Sequence, residues 1–217
     1  MEIISTLKSK NELLFLFGLG NFILAGLFVL LSQITSIEVS GTNAWFKPIK
    51  FALSIGTFSW TIAWFMSYLP QDKSIQIMSW LIVLMLGFEI LYIGIQAGRG
   101  QLSHYNLSTP IYGGLYVLMA FAATVVSFIT LVLAIRFFQV PLPELPDYYI
   151  WSIRAGLILF FNVSGDTALC LYLRAVRNFY MTGEPNLPAN TAVLTNFGAA
   201  GDTALCCNNG MGTDFHI

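Results

Sequence analysis

The sequence predicts an all-α, polytopic transmembrane bundle of about five helices, and three observations predict it. Of the 217 residues, 56% are hydrophobic and only 10% are charged, against roughly 45–50% and about 25% in soluble domains. Five apolar runs approach or exceed the ~20 residues that cross a hydrocarbon core of about 30 Å. These runs are continuous rather than alternating, which excludes a membrane barrel. Backbone groups in hydrocarbon must then be satisfied within each segment, so the segments are helices.

The first run covers residues 13–34. Lys8 and Lys10 precede it as in a signal peptide, but it is longer than the usual 7–15 apolar residues and no Ala-x-Ala site follows. It therefore reads as a retained helix, in which Gly18, Gly20 and Gly26 would let a neighbour approach closely. The second run, 51–69, closes at Pro70, Gln71 and Asp72 and places Trp60 and Trp64 four apart on one face. The third, 79–97, carries Glu89 and Gln96 and ends at Gly98-Arg99-Gly100. The fourth, 111–137, is long enough to span with tilt. Pro141, Pro143 and Pro146 then forbid helix, since each removes a donor and restrains its predecessor. The fifth, 149–173, is the weakest, interrupted by Arg154 and Asp166.

Residues 1–177 thus form the expected bundle, and 178–217 a polar, poorly ordered tail of loop-forming composition. Gly-Asp-Thr-Ala-Leu-Cys occurs twice, ending at Cys170 and Cys206, short of the three copies a repeat architecture needs. The positive-inside rule does not orient the chain. With the N-terminus inside, Lys8, Lys10, Lys73, Arg136 and Arg154 face one side and Lys47, Lys50, Arg99, Arg174 and Arg177 the other.

Ten Lys and Arg against eleven Asp and Glu give a net charge of -1, which excludes nucleic acid as an electrostatic partner. Cys170, Cys206 and Cys207 make an odd count with an adjacent pair, unlike a disulfide framework. His104 and His216 are too few for a dedicated zinc or bis-histidine haem site. The sequence names no cofactor.

Ionisable groups within a bilayer are costly and mark candidate sites. Glu89 is the first, with Ile93 and Gln96 on its face and Gly87, Gly94 and Gly98 opposite. Burial disfavours the charged form, so Glu89 is expected to be neutral, with Gln96 as an uncharged hydrogen-bond partner. The alternatives are pairing with a lysine as helix glue, or a proton or substrate role. Next comes residues 43–50, where Pro48 suits a first helical turn. Trp45 and Phe46 suit the headgroup layer, and Lys47 and Lys50 snorkel to it or turn inward toward Glu89 or an anionic ligand. The last is residues 96–106, with Gln96, Arg99, His104 and Asn106. Arg99 supplies a planar fork of donors, the glycines let backbone N–H groups approach an anion, and His104 titrates near neutrality. An ordinary re-entry loop accounts for the same residues. Asn106 and Asn162 begin Asn-x-Ser sequons, the second inside a predicted span.

Two of these segments carry a resemblance. Asn-x-Trp-Phe-Lys-Pro-x-Lys (43–50) and Gln-x-x-Arg-Gly-x-x-Ser-His-x-Asn (96–106) are similar to signatures of a family of uncharacterised multi-pass bacterial integral membrane proteins. The similarity covers roughly residues 10–165 and implies a bacterial cytoplasmic membrane and a somewhat longer bundle. The tail departs from it: Thr203-Ala204-Leu205-Cys206 follow Gly201-Asp202 where basic and histidine residues would be expected, as in a truncated or frame-shifted reading.

The expected function is an accessory or structural membrane protein or a small-solute transport-related one. A membrane-embedded enzyme or quinone-linked redox subunit using the polar 96–106 loop is the alternative. The lipid bilayer is the expected partner, with a homo-oligomer or other membrane subunits beside it.

Overall fold

The computed structural model describes residue 9 and residues 11–39, 41–101, 110–143 and 145–181, with side chains as far as residue 164 in the last helix. The predicted tail, 178–217, lies almost wholly outside these residues. Among them five helices follow in order: α1 (Glu12–Ile34), α2 (Phe46–Met66), α3 (Lys73–Gly98), α4 (Pro110–Gln139) and α5 (Asp147–Met181). A short antiparallel hairpin joins α1 to α2, with β1 (Glu38–Val39) paired to β2 (Thr42–Asn43). Its turn contains Gly41 at φ +78°, a left-handed conformation that glycine adopts without strain. Hydropathy gives no signal for so short a hairpin, the one regular element other than helix among the described residues.

Four of the helices, α1, α2, α3 and residues 111–139 of α4, are long and apolar enough to cross a membrane. The fifth predicted run is helical too, within the 35-residue α5, whose described residues do not reach the same apolarity. Helix starts differ most from expectation where the first turn is polar. α3 begins at Lys73 rather than 79 because Asp72 caps it, its side chain accepting the Ile75 N–H at 3.0 Å. α2 begins at Phe46 rather than 51 and includes Pro48 in its first turn, where a missing N–H leaves no bond unmade. Asn11 caps α1 by accepting the Leu14 N–H at 3.1 Å, and its amide donates to Ser79 Oγ of α3 at 2.8 Å.

α1 packs along α2 and α4 along α5, while α3 lies between the two pairs. The α1–α2 crossing rests on two glycines. A Cβ on Gly18 would stand 2.6 Å from Trp60 Nε1 and 3.2 Å from the Gly56 carbonyl oxygen, and one on Gly56 would stand 3.2 Å from the Gly18 oxygen. Trp60 fills the remaining space, stacked on Phe15 at 5.6 Å, edge-on to Phe22 at 4.9 Å, and donating to the Phe15 carbonyl at 3.1 Å. Gly20 and Gly26 meet nothing, so of the three glycines expected to admit a neighbour only Gly18 does.

Polar groups tie the helix ends at one end of the bundle. Arg136 near the end of α4 pairs with Asp72 at 2.8 Å. The Arg136 hydrogen bond, helped by the Ile75 N–H, holds the Asp72 carboxyl below its ordinary pKa. Arg154 of α5 donates from Nε and Nη2 to the Phe137 carbonyl at 3.0 and 2.7 Å. That carbonyl lies in the last turn of α4, where no intrahelical donor remains. An interruption of the fifth apolar run thus caps the preceding helix. Trp64 Nε1 donates to Tyr149 OH at 3.0 Å at the same end, joining α2 to α5.

Large apolar side chains also cover much of the outer surface. Ile23, Leu27, Leu30 and Ile34 of α1 and Ile77, Leu84, Leu91 and Ile95 of α3 are all exposed, as are Phe121, Phe128 and Val132 of α4. Water-soluble monomers rarely expose contiguous apolar patches beyond a few hundred Å².

Candidate functional site

α3 carries the polar interior. Glu89, Tyr92 and Gln96 follow one another at three and four residues, which puts them on one face. All three are buried, Glu89 at 8% exposure and Gln96 at 1%. Tyr92 and Ile93 pack there with Met119, and Phe51, Phe88 and Leu115 surround them, so this face looks into the junction of α2, α3 and α4. The opposite face holds the glycines. A Cβ on Gly87 would meet Phe17 at 3.7 Å, on Gly94 Phe28 at 3.1 Å and on Gly98 Trp45 at 3.6 Å. α3 therefore turns its small residues to α1 and the hairpin, and its polar ones to α2 and α4.

The expected hydrogen bond between Glu89 and Gln96 is not formed. Seven residues of helix separate them by about 10.5 Å along the axis, beyond direct reach. Gln96 Nε2 instead donates to Tyr92 OH at 3.0 Å within the same helix. Gln96 Oε1 is buried without a partner. Among the described residues no hydrogen bond or ion pair reaches the Glu89 carboxyl, and the ion pair that does form is Arg136–Asp72.

The lysine-bearing segment divides. Trp45 is packed against protein, 7% exposed. Its ring stacks on Phe28 at 5.5 Å, and its Nε1 donates to Thr35 Oγ1 at 2.6 Å. Asn43 holds the same corner, donating to the Ser32 carbonyl at 3.0 Å and accepting the Trp45 N–H at 3.0 Å. Phe46 is 52% exposed. Lys47 is half-buried at the start of α2 and Lys50 is exposed.

Arg99 is exposed beyond the end of α3. The glycine-rich run around it does not present backbone donors to an anion, because those donors are used to close the helix. Arg99 N–H donates to the Ile95 carbonyl at 3.1 Å, Gly100 to Ala97 at 3.1 Å and Gln101 to Gln96 at 2.9 Å. Gly100 at φ +64° makes that closure, the usual reason for glycine just past a helix. His104 and Asn106 lie outside the described residues.

Three polar residues escape sequence reasoning. Tyr92 reads as an ordinary aromatic until its spacing to Gln96 is noticed. Asn21 of α1, 3% exposed, donates to the Phe17 carbonyl at 2.8 Å and leaves its Oδ1 unsatisfied. Its signal is a lone amide within an apolar run. Arg154 is visible in sequence only as a blemish.

Grooves open on the apolar surface of the described residues. One of about 730 Å³ lies between α3 and α4, with Lys73 and Ser74 at one end and Leu81, Phe121, Phe128 and Val132 along it. A smaller one of about 300 Å³ runs along α5 beside Arg154. No group of three or more metal-ligating side chains occurs among the described residues. The sequence matches no known family model, and no curated protein or solved structure matches it.

Proposed function

We propose that the protein is a multi-pass integral membrane protein of a bacterial cytoplasmic membrane, with a small-solute transport-related role centred on Glu89, Tyr92 and Gln96. The observation that carries this reading is the bonding of the α3 polar face. Residues that merely hold helices together would hydrogen-bond across to another helix. Gln96 bonds within its own helix and leaves an acceptor unused, and the Glu89 carboxyl has no partner among the described residues. Buried acceptors left open are suited to a proton or a small donor-bearing solute at the junction of three helices. The apolar outer surface supports the membrane location, and α5 is read as a fifth pass. The resemblance of residues 43–50 and 96–106 to bacterial membrane proteins supports the compartment.

Reconstitution tests the role. Proteoliposomes loaded with a pH-sensitive dye should show proton flux above that of empty vesicles, and Glu89→Gln should abolish it while keeping a wild-type melting profile. Flux equal to that of empty vesicles would sink the transport reading and favour the accessory one, which co-purifying membrane subunits would then support.

A second reading, a quinone-linked or other lipid-substrate enzyme, draws on the α3–α4 groove, whose apolar walls and Lys73/Ser74 mouth fit a long molecule with a polar head. That mouth lies at the opposite end of α3 from Gln96 and Arg99. Haem or flavin absorbance in the purified protein would favour it.

A further inference from the structure

We infer that the groove along α5 is a binding site for an anionic phospholipid, with the headgroup phosphate at Arg154. This inference rests on the membrane reading above. Trp151, Arg154, Ala155, Ile158 and Leu159 line the groove at helical spacing, and Phe138 at the end of α4 forms its far wall. Its lining is apolar except for one cation, Arg154, and one amide, Asn162, beyond Ile158 and Leu159.

That cation is built into place. Two of its nitrogens hold the Phe137 carbonyl, and its Cζ lies 4.5 Å from the Phe138 ring centroid and 5.3 Å from that of Trp151. These bonds leave Nη1 without a partner among the described residues, and no carboxylate there pairs with the guanidinium. A helix C-terminus supplies only about half a negative charge, so the site keeps net positive character. Exposed Trp151 and Tyr148, with Trp64 and Tyr149 nearby, cluster around the same end of the bundle, as aromatic side chains do at a headgroup layer.

Charge complementarity selects the occupant. A fixed guanidinium with spare donors binds a phosphate oxygen, and the apolar groove below it accepts an acyl chain along Ala155, Ile158 and Leu159. A zwitterionic lipid brings its own ammonium beside the phosphate and loses most of that attraction. At about 300 Å³ the groove takes part of one chain rather than a whole lipid. The larger α3–α4 groove has only an exposed lysine at its mouth, and nothing there fixes a headgroup.

The experiment compares the full-length protein, purified in an uncharged detergent, on addition of phosphatidylglycerol, phosphatidylcholine or inorganic phosphate. Apparent affinity is read from the shift in thermal unfolding. The expected result is a preference for phosphatidylglycerol over phosphatidylcholine of about five-fold, the contribution of one basic residue to anionic-lipid attraction, with no shift from phosphate alone. Arg154→Gln should remove the preference. Because that variant also uncaps α4, Ala155→Trp provides the second arm: it fills the groove and leaves Arg154 in place, so basal stability should hold while the lipid-dependent shift is lost. Equal shifts from both lipids in wild type, or a preference surviving both substitutions, would overturn the site. A shift from inorganic phosphate equal to that from phosphatidylglycerol would overturn the lipid assignment. Release of the protein from membranes by alkaline carbonate would mark failure of the membrane reading itself.

Discussion

Gly18→Ala should destabilise the protein, whereas Gly20→Ala two residues on should not, and the contrast follows from the α1–α2 crossing. A methyl at Gly18 collides with Trp60 Cδ1, lies 2.6 Å from its Nε1, and stands 3.2 Å from the Gly56 carbonyl oxygen. Real Cβ atoms do not tolerate the first two distances, so either the indole or the helix must move. The indole has little freedom, held by Phe15, by Phe22 and by its hydrogen bond to the Phe15 carbonyl. Overpacking of this kind costs about 1–3 kcal/mol. Loss of the indole hydrogen bond adds about 0.5–1.5 kcal/mol. Alanine returns roughly 0.5–1 kcal/mol through its better helix propensity, leaving a net loss of about 0.5–4 kcal/mol, centred near 2. At Gly20 nothing lies within 4 Å, so only the propensity remains and the change is neutral or slightly stabilising. Thermal and dodecyl sulfate unfolding in mild detergent, followed by tryptophan fluorescence, measure both variants. Trp60→Leu should relieve part of the Gly18→Ala penalty, so the double variant is less destabilised than the sum of the singles. Equal stability of the two alanine variants would refute the close crossing.

Trp45→Phe keeps the ring against Phe28 and removes the 2.6 Å bond to Thr35 Oγ1; a loss of about 1 kcal/mol is expected in the same melt, and no loss would dismiss that bond as a contributor to stability. The Asp72 carboxyl has its pKa lowered by Arg136, so its contribution is present above the unfolded value and lost as pH falls through the folded one. An acid titration below about pH 4 should therefore destabilise wild type more than Asp72→Asn, and the difference should shrink in high salt; parallel curves would dismiss the pair. Reporter fusions at Lys10 and Asn190 should give opposite signals if α5 is a fifth pass, and matching signals would leave four.

Sequence alone was sufficient for the helices and their approximate places, because burial in hydrocarbon is a sum over consecutive residues and needs no partner. Thus 13–34 and 111–137 agree closely with Glu12–Ile34 and Pro110–Gln139. The face bearing Glu89 and Gln96, and the glycine face behind it, also follow from spacing. What spacing does not contain is the rotation of each helix about its axis. In a soluble bundle an amphipathic stripe sets that rotation. Here exposed Leu91 and Ile95 are as apolar as buried Ile90 and Ile93, so the pattern is degenerate and interhelical contact decides. That is why Gly18 matters and Gly20 does not, why Trp45 turns inward, and why Arg154 caps α4 across 17 residues of sequence. The Gln96 amide meets Tyr92 rather than Glu89 for a reason internal to the helix: the helical rise separates along the axis two residues that a wheel projection superimposes.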